Sequence, residues 1–237
     1  MAGGGTLVTF PTLLFFGTPA VIANATSTLA LSIGTGGSVY GYRKHLDTVK
    51  VWLWRFVPVS VLGGLIGSVL LTKTSNQTFS RLVPFLILFA TLLFLSQGIF
   101  RRFLNFGISS DSSNLNGKVI GAIFFQFLVA VYGGYFGAGI GILMLASLGF
   151  IGLSDIYQMN TLKTVLGALI NSVASIWFIC AGLINWPRAG VMTAGALIGY
   201  YLGSHYSQRI SQKSVRYIIT GIGLVLSAIT FYKQFMR

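Results

Sequence analysis

The chain has 237 residues, of which 54% are hydrophobic and 8% charged, with a mean hydropathy of +0.80. Ordinary soluble domains carry about 25% charged residues, so this composition excludes that class and predicts an integral membrane protein. The formal charge of +13 comes from 16 Lys and Arg against Asp47, Asp111 and Asp155; the basic residues fall mainly between apolar runs, where they set orientation and meet anionic headgroups, so no nucleic-acid partner is predicted.

A bilayer core takes about 20 apolar residues per helix. On that basis the predicted spans, in chain order, are residues 3–16, 20–42, 51–71, 82–100, 119–150, 156–181, 187–203 and 217–235. The first is short. The fifth is long and broken by glycine, and it has a whole extra apolar stretch, 119–137, that the first lacks. Either the first half has lost its opening half-helix or translation starts upstream. Residues 101–118 contain the Ser/Asn-rich stretch 109–114 and have linker composition.

The expected fold is therefore all-α and polytopic, with about eight spans in two four-helix repeats: residues 1–102, a linker at 103–118, and residues 119–237. A duplication is suggested by matched features. Gly3–Gly5 and Gly137, Gly139 and Gly141 form two glycine clusters, and an Asn follows at the same offset in each half, at Asn24 and Asn160. Gly63 and Gly67 match Gly195 and Gly199 at an offset of 132, and Arg81 matches Arg216 at 135. Paired, glycine-interrupted segments in two halves point to the binding site of a secondary transporter.

A glycine cluster within an apolar span can break the helix. Lipid cannot satisfy the freed amides, so such a break must face protein or water, and a half-helix N-terminus there suits a small anion. Gly3, Gly4, Gly5, Gly137, Gly139 and Gly141 are accordingly candidates to line a site, with close helix packing as the alternative. Each following helix carries a polar patch that hydrocarbon rejects: Asn24, Thr26, Ser27 and Thr28 in the first half, Asn160, Thr161, Lys163 and Thr164 in the second. Lys163 lies about two turns beyond Asp155, and either snorkels or faces a cavity as a cation for an anionic solute. Asn171 and Ser172 are supporting candidates, because Asn171 lies about 80° round the helix from Lys163.

Other residues are read as structural. Cys180 is expected to be a small buried filler. Trp52, Trp54, Trp177, Trp186 and Arg55 are expected to anchor helices at the interface. The chain has no Ser/His/Asp set, no HExxH, no phosphate loop and no Asp or Glu within a span. No enzyme activity, metal or cofactor is predicted. The expected partners are the lipid bilayer and a small anionic solute.

These residues resemble the sulfite exporter TauE/SafE family, small permeases for sulfur-containing and other organic anions. The likeness is carried by Tyr132-Gly133-Gly134-Tyr135-Phe136-Gly137-Ala138-Gly139-Ile140-Gly141, then Thr161-Leu162-Lys163, Asn171, Gly182-Leu183-Ile184-Asn185-Trp186, Gly195 and Gly199. In the first half it is carried by Gly3-Gly4-Gly5, Pro11, Gly17 and Ala25-Thr26-Ser27. The resemblance implies a multi-pass cell-membrane permease of two four-helix repeats that moves sulfite, sulfonates or similar anions, and the chain departs from it in lacking the stretch before the first glycine cluster. A non-transporting membrane subunit and an anion channel are the alternative readings. With residues 119–150 counted as one crossing, the C-terminal side holds Arg43, Lys44, Lys50, Arg101, Arg102, Lys118, Arg188, Lys233 and Arg237. The other side holds Lys73, Arg81, Arg209, Lys213 and Arg216, and the imbalance predicts a cytoplasmic C-terminus.

Overall fold

The computed structural model describes residues 5–41, 43, 46–106, 115–150, 153, 155–206 and 212–235. Among these the fold is all-α, with helices α1 (Gly5–Phe15), α2 (Ala20–Gly41), α3 (Leu46–Lys73), α4 (Asn76–Phe106), α5 (Leu115–Tyr135), α6 (Ile140–Phe150), α7 (Ile156–Cys180), α8 (Trp186–Tyr206) and α9 (Gln212–Phe235). Three segments are long and apolar enough to cross a membrane: Leu46–Lys73, Asn76–Ser96 and Tyr157–Cys180. Gly5–Phe15, Val119–Tyr135, Ile140–Gly149 and Thr220–Tyr232 are shorter apolar helices.

Glycine ends three of these helices in the same way. Gly17, Gly137 and Gly182 have φ of 75°, 80° and 67°. In each case a main-chain bond reaches back five residues: Thr18 N to Leu13 O, Gly137 N to Tyr132 O, and Leu183 N to Phe178 O, at 3.0 to 3.1 Å. These left-handed closures satisfy the last carbonyls and stop α1, α5 and α7. At the start of α7 the carboxylate of Asp155 accepts the Tyr157 amide at 2.8 Å, so Asp155 serves as the helix cap.

Helix directions follow from the contacts. Gly63 and Gly67 of α3 lie against Ala130 and Tyr135 of α5, and Gly64 against Ile170 of α7; further along, Trp177 Nε1 donates to Thr72 Oγ1 at 3.0 Å. Thus α3, α5 and α7 run parallel. By contrast α6 returns along α5, since Gly133 lies against Ile140 and Ser147 Oγ donates to Ala122 O at 3.2 Å. The stretch 119–150, expected as one broken crossing, is therefore an antiparallel helix pair. Left-handed backbone at both Gly137 and Gly139 (φ 80° and 79°) makes the reversal.

This corrects the expected grouping of the loops. The α1–α2, α3–α4 and α7–α8 turns meet at one end, here called the turn end: Asn76 Oδ1 accepts Val21 N, and Arg188 of α8 reaches Phe16 O and Thr18 Oγ1. Helix α9 runs antiparallel to α4, with Gly223 against Thr91 and Phe231 against Phe85. It therefore finishes at the turn end, away from Arg43, Lys50, Arg101, Arg102 and Lys118.

Two apolar clusters hold the helices. One joins Phe10, Phe79, Phe94, Phe136, Ala138 and Phe178; the other joins Phe56, Ala130, Ile140, Met144, Leu162, Leu166 and Ile170. Backbone approach tightens the second. A Cβ on Gly67 would lie 2.0 Å from Val131 O, and one on Gly134 would lie 2.1 Å from Gly64 O. For these glycines close packing is the explanation. Their sequence matches Gly195 and Gly199 have nothing within 4 Å. One structural expectation changes: Cys180 is exposed rather than a buried filler. Trp177, in the last turn of α7, also bonds across the α3–α7 contact.

Candidate functional site

The break between α5 and α6 is held from both sides. Tyr132, one turn before the end of α5, donates its hydroxyl to Ala138 O at 2.7 Å. Phe136 turns inward and meets Phe10 edge-on at 5.4 Å, with Phe79 and Tyr132 completing the ring cluster. Such pairs contribute about 0.5–1.5 kcal/mol each beyond burial. The turn is thus a packed, bonded element with a fixed direction.

Its main-chain donors are partly used. Ile140 N donates to Gly137 O at 3.4 Å and Ile142 N to Gly139 O at 3.0 Å. Among the described residues no acceptor is found for the amides of Ala138, Gly139 and Gly141. They stand at the N-terminus of α6, where the helix dipole adds partial positive charge. Two side-chain amides approach the same turn. Asn24 Nδ2 donates to Tyr135 O at 3.0 Å, and Asn171 Oδ1 lies 4.0 Å from the point a Cβ on Gly137 would occupy. Asn24 is 1% exposed, and its Oδ1 has no partner among the described residues.

The structure therefore brings Gly137, Gly139, Gly141, Asn24 and Asn171 to one place. It puts Thr26 nearby at the turn end, where its hydroxyl accepts Asn185 N at 3.1 Å. Ser27 instead faces α1, with Thr9 Oγ1 at 2.6 Å. Gly5 opens α1 against Leu31; Gly3 and Gly4 lie outside the described residues. Asn160, Thr161 and Lys163 are not at the break. Lys163 precedes Asn171 by eight residues, about 12 Å along α7. It is 7% exposed, and its ammonium donates to Asn160 Oδ1 at 2.8 Å, while Thr161 bonds back to Tyr157 O.

Sequence reasoning missed three contributors. Tyr132 was legible as an aromatic with one polar atom beside a glycine break, but nothing in the sequence showed that its hydroxyl pins the turn. Ser32 was not singled out, yet it meets the supporting candidate Ser172 at 3.1 Å where α2 crosses α7. Arg188 was counted as a loop charge, yet its guanidinium ties α8 to the α1–α2 turn through Thr18 Oγ1 and Phe16 O, and its own amide is capped by Asn185 Oδ1. Neutral oxygens occupy a group whose fork geometry suits oxyanions.

Comparison with known proteins bears on what this arrangement does. The chain is similar to a probable membrane transporter protein of Haemophilus influenzae, 28% identical over 99% of this chain and 89% of the relative. It is also similar to the probable membrane transporter protein ORF9 of a Sinorhizobium species, 25% identical over 96% and 84%. A third relative, the probable membrane transporter protein YfcA of Escherichia coli K12, is 24% identical over 98% and 84%. No solved structure matches the chain. The profile of one family covers nearly all of the helices described above, residues 1–230, and the chain belongs to that family, the sulfite exporter TauE/SafE membrane transporters.

Proposed function

We propose that the protein is a permease for a small oxyanion such as sulfite or a sulfonate, bound at the α5–α6 break and moved by alternating access. The observation that carries this reading is the set of amides at Ala138, Gly139 and Gly141, without acceptors among the described residues, at a half-helix N-terminus beside Asn24 and Asn171. Thr26 and Arg188 form the wall toward the turn end. Lys163, held by Asn160, is the cation an anion meets as it leaves the break toward the other end of α7.

The rocking elements are two inverted four-helix repeats, α1–α4 and α6–α9. Each helix of the first runs opposite to its counterpart in the second, and the packing exchanges accordingly. Helix α2 packs on α8 as α7 does on α3, and α1 packs on α2 as α6 does on α7; α2 also meets α7, and α4 meets α9. Helix α5 stands outside this exchange. Helix ends away from the turn end carry Arg43, Lys50, Arg101, Arg102, Lys118, Lys213 and Arg216, against Lys73, Arg81, Arg188 and Lys233 at the turn end. That imbalance supports cytoplasm on the first side, and on this reading the C-terminus lies outside. An inside-negative potential then drives the anion outward by about 2.3 kcal/mol per charge per 100 mV, so export needs no carboxylate relay.

The test is flux in reconstituted vesicles. Saturable, solute-specific sulfite or sulfonate efflux is expected, and Lys163→Met is expected to abolish it while the purified variant keeps its unfolding transition. Conductance without saturation would show a channel instead. No flux of any small anion would refute the permease reading.

A further inference from the structure

The inference below rests on the reading that the break binds an anion, and it concerns which anions. Asn24 is fixed by its surroundings. Tyr135 O can only accept, so the amide must turn Nδ2 toward it; rotated by 180°, the side chain would set two oxygens against each other. This leaves Oδ1 as an acceptor inside the protein, beside the end of α5, with no partner among the described residues. A buried acceptor without a donor is unfavourable, and a group of this kind needs an explanation.

The unpartnered groups at the break are thus of two signs. The amides of Ala138, Gly139 and Gly141, three to six residues beyond Tyr135, are donors, whereas Asn24 Oδ1 is an acceptor. An anion with oxygens alone satisfies the first set and sets a lone pair against the second. A buried hydroxyl without a partner among the described residues, Ser175 Oγ, lies one turn beyond Asn171 on α7, but a hydroxyl turns to donate or accept and does not decide the sign. Asn24 does decide it. We propose that the site selects a small monoanion that carries its own hydrogen-bond donor, an O–H or N–H received by Asn24 Oδ1, over an anion of equal charge without one.

The experiment compares ethanesulfonate with 2-hydroxyethanesulfonate, which differ only by the hydroxyl, for binding to the purified full chain and for flux in vesicles. The hydroxylated solute is expected to bind at least about tenfold more tightly, because a site built to receive a hydroxyl rejects the analogue lacking it. Asn24→Leu is expected to erase that preference, the affinities for the two solutes converging whatever their common level. The wild-type comparison stands without the variant should the variant fail to fold. If neither two-carbon solute binds, hydroxymethanesulfonate and methanesulfonate are compared by the same criterion. Equal affinity within a pair overturns the donor requirement and leaves the anion reading in place. Sodium-dependent tightening of both solutes without preference also overturns it, by assigning Oδ1 to a cation. Failure of both pairs and of sulfite to bind overturns the anion reading itself.

Discussion

Gly67→Ala tests the link between helix packing and the break. The new methyl would start 2.0 Å from Val131 O and 2.8 Å from Tyr135 N, whereas ordinary contact begins at 3.4 Å, so the α5 backbone must retreat by about 1.4 Å. No flexible side chain is available to give way, because the obstructing atoms are main chain. Forcing a methyl into a packed contact costs about 1–3 kcal/mol. The same retreat draws Tyr135 O away from Asn24 Nδ2, now at 3.0 Å, and loses a hydrogen bond contributing about 0.5–1.5 kcal/mol. Together these lower the melting temperature by on the order of 5–10 °C. Flux should fall further than stability does, since the displaced backbone leads directly into the turn. The control is Gly121→Ala, also on α5, where nothing lies within 4 Å and the helix gains about 0.5–1 kcal/mol from the better helix former. Thermal unfolding in detergent and flux in vesicles measure both. Equal melting temperatures for the two variants, with equal flux, would refute the argument that Gly67 sets the position of the break.

Further outcomes follow from the same geometry. Tyr132→Phe removes the bond to Ala138 O and should destabilise by about 0.5–1.5 kcal/mol, with a larger rise in the transport KM, measured by flux titration. Gly139→Ala meets only ordinary contacts, the nearest at 3.5 Å, so its cost of about 1–2 kcal/mol should be purely conformational and visible in thermal unfolding. Arg188→Gln releases α8 from Phe16 O and Thr18, and hydrogen exchange should quicken at the Gly17 and Thr18 amides while the middle of α4 keeps its protection.

Much of the architecture was legible from composition and hydropathy, because a bilayer permits few solutions: apolar runs of the right length become helices, and polar or glycine-rich stretches end them. The ends of α2 and α7 fall within a residue of the expected limits, and α1 is as short as its sequence. Glycine was the ambiguous signal. Gly67 and Gly137 are chemically identical in the sequence, but one is needed because two backbones touch and the other because φ is positive, and only neighbours in space distinguish those causes. The pair Gly63/Gly67 and Gly195/Gly199 makes the point further, since matched residues lie in a backbone contact in one half and in open space in the other.

The reversal at residues 136–139 was decided by tertiary structure. A glycine cluster permits a kinked crossing or a hairpin equally; packing of α6 back along α5, with Tyr132 and Phe136 locking the turn, selects the hairpin and with it the side on which the C-terminus emerges. Site membership divided for a similar reason. The patch at Asn160, Thr161 and Lys163 and the separate candidate Asn171 lie on one helix, but the 1.5 Å rise per residue sets Lys163 about 12 Å from Asn171 along α7, so that Asn171 meets the break and the patch does not. The sequence by itself determined that this is a helical membrane transporter of its family, because chain chemistry and its order suffice for that. Which main-chain donors and which buried acceptor lack partners among the described residues depends on the crossing of helices far apart in the chain, and only the folded arrangement decided it.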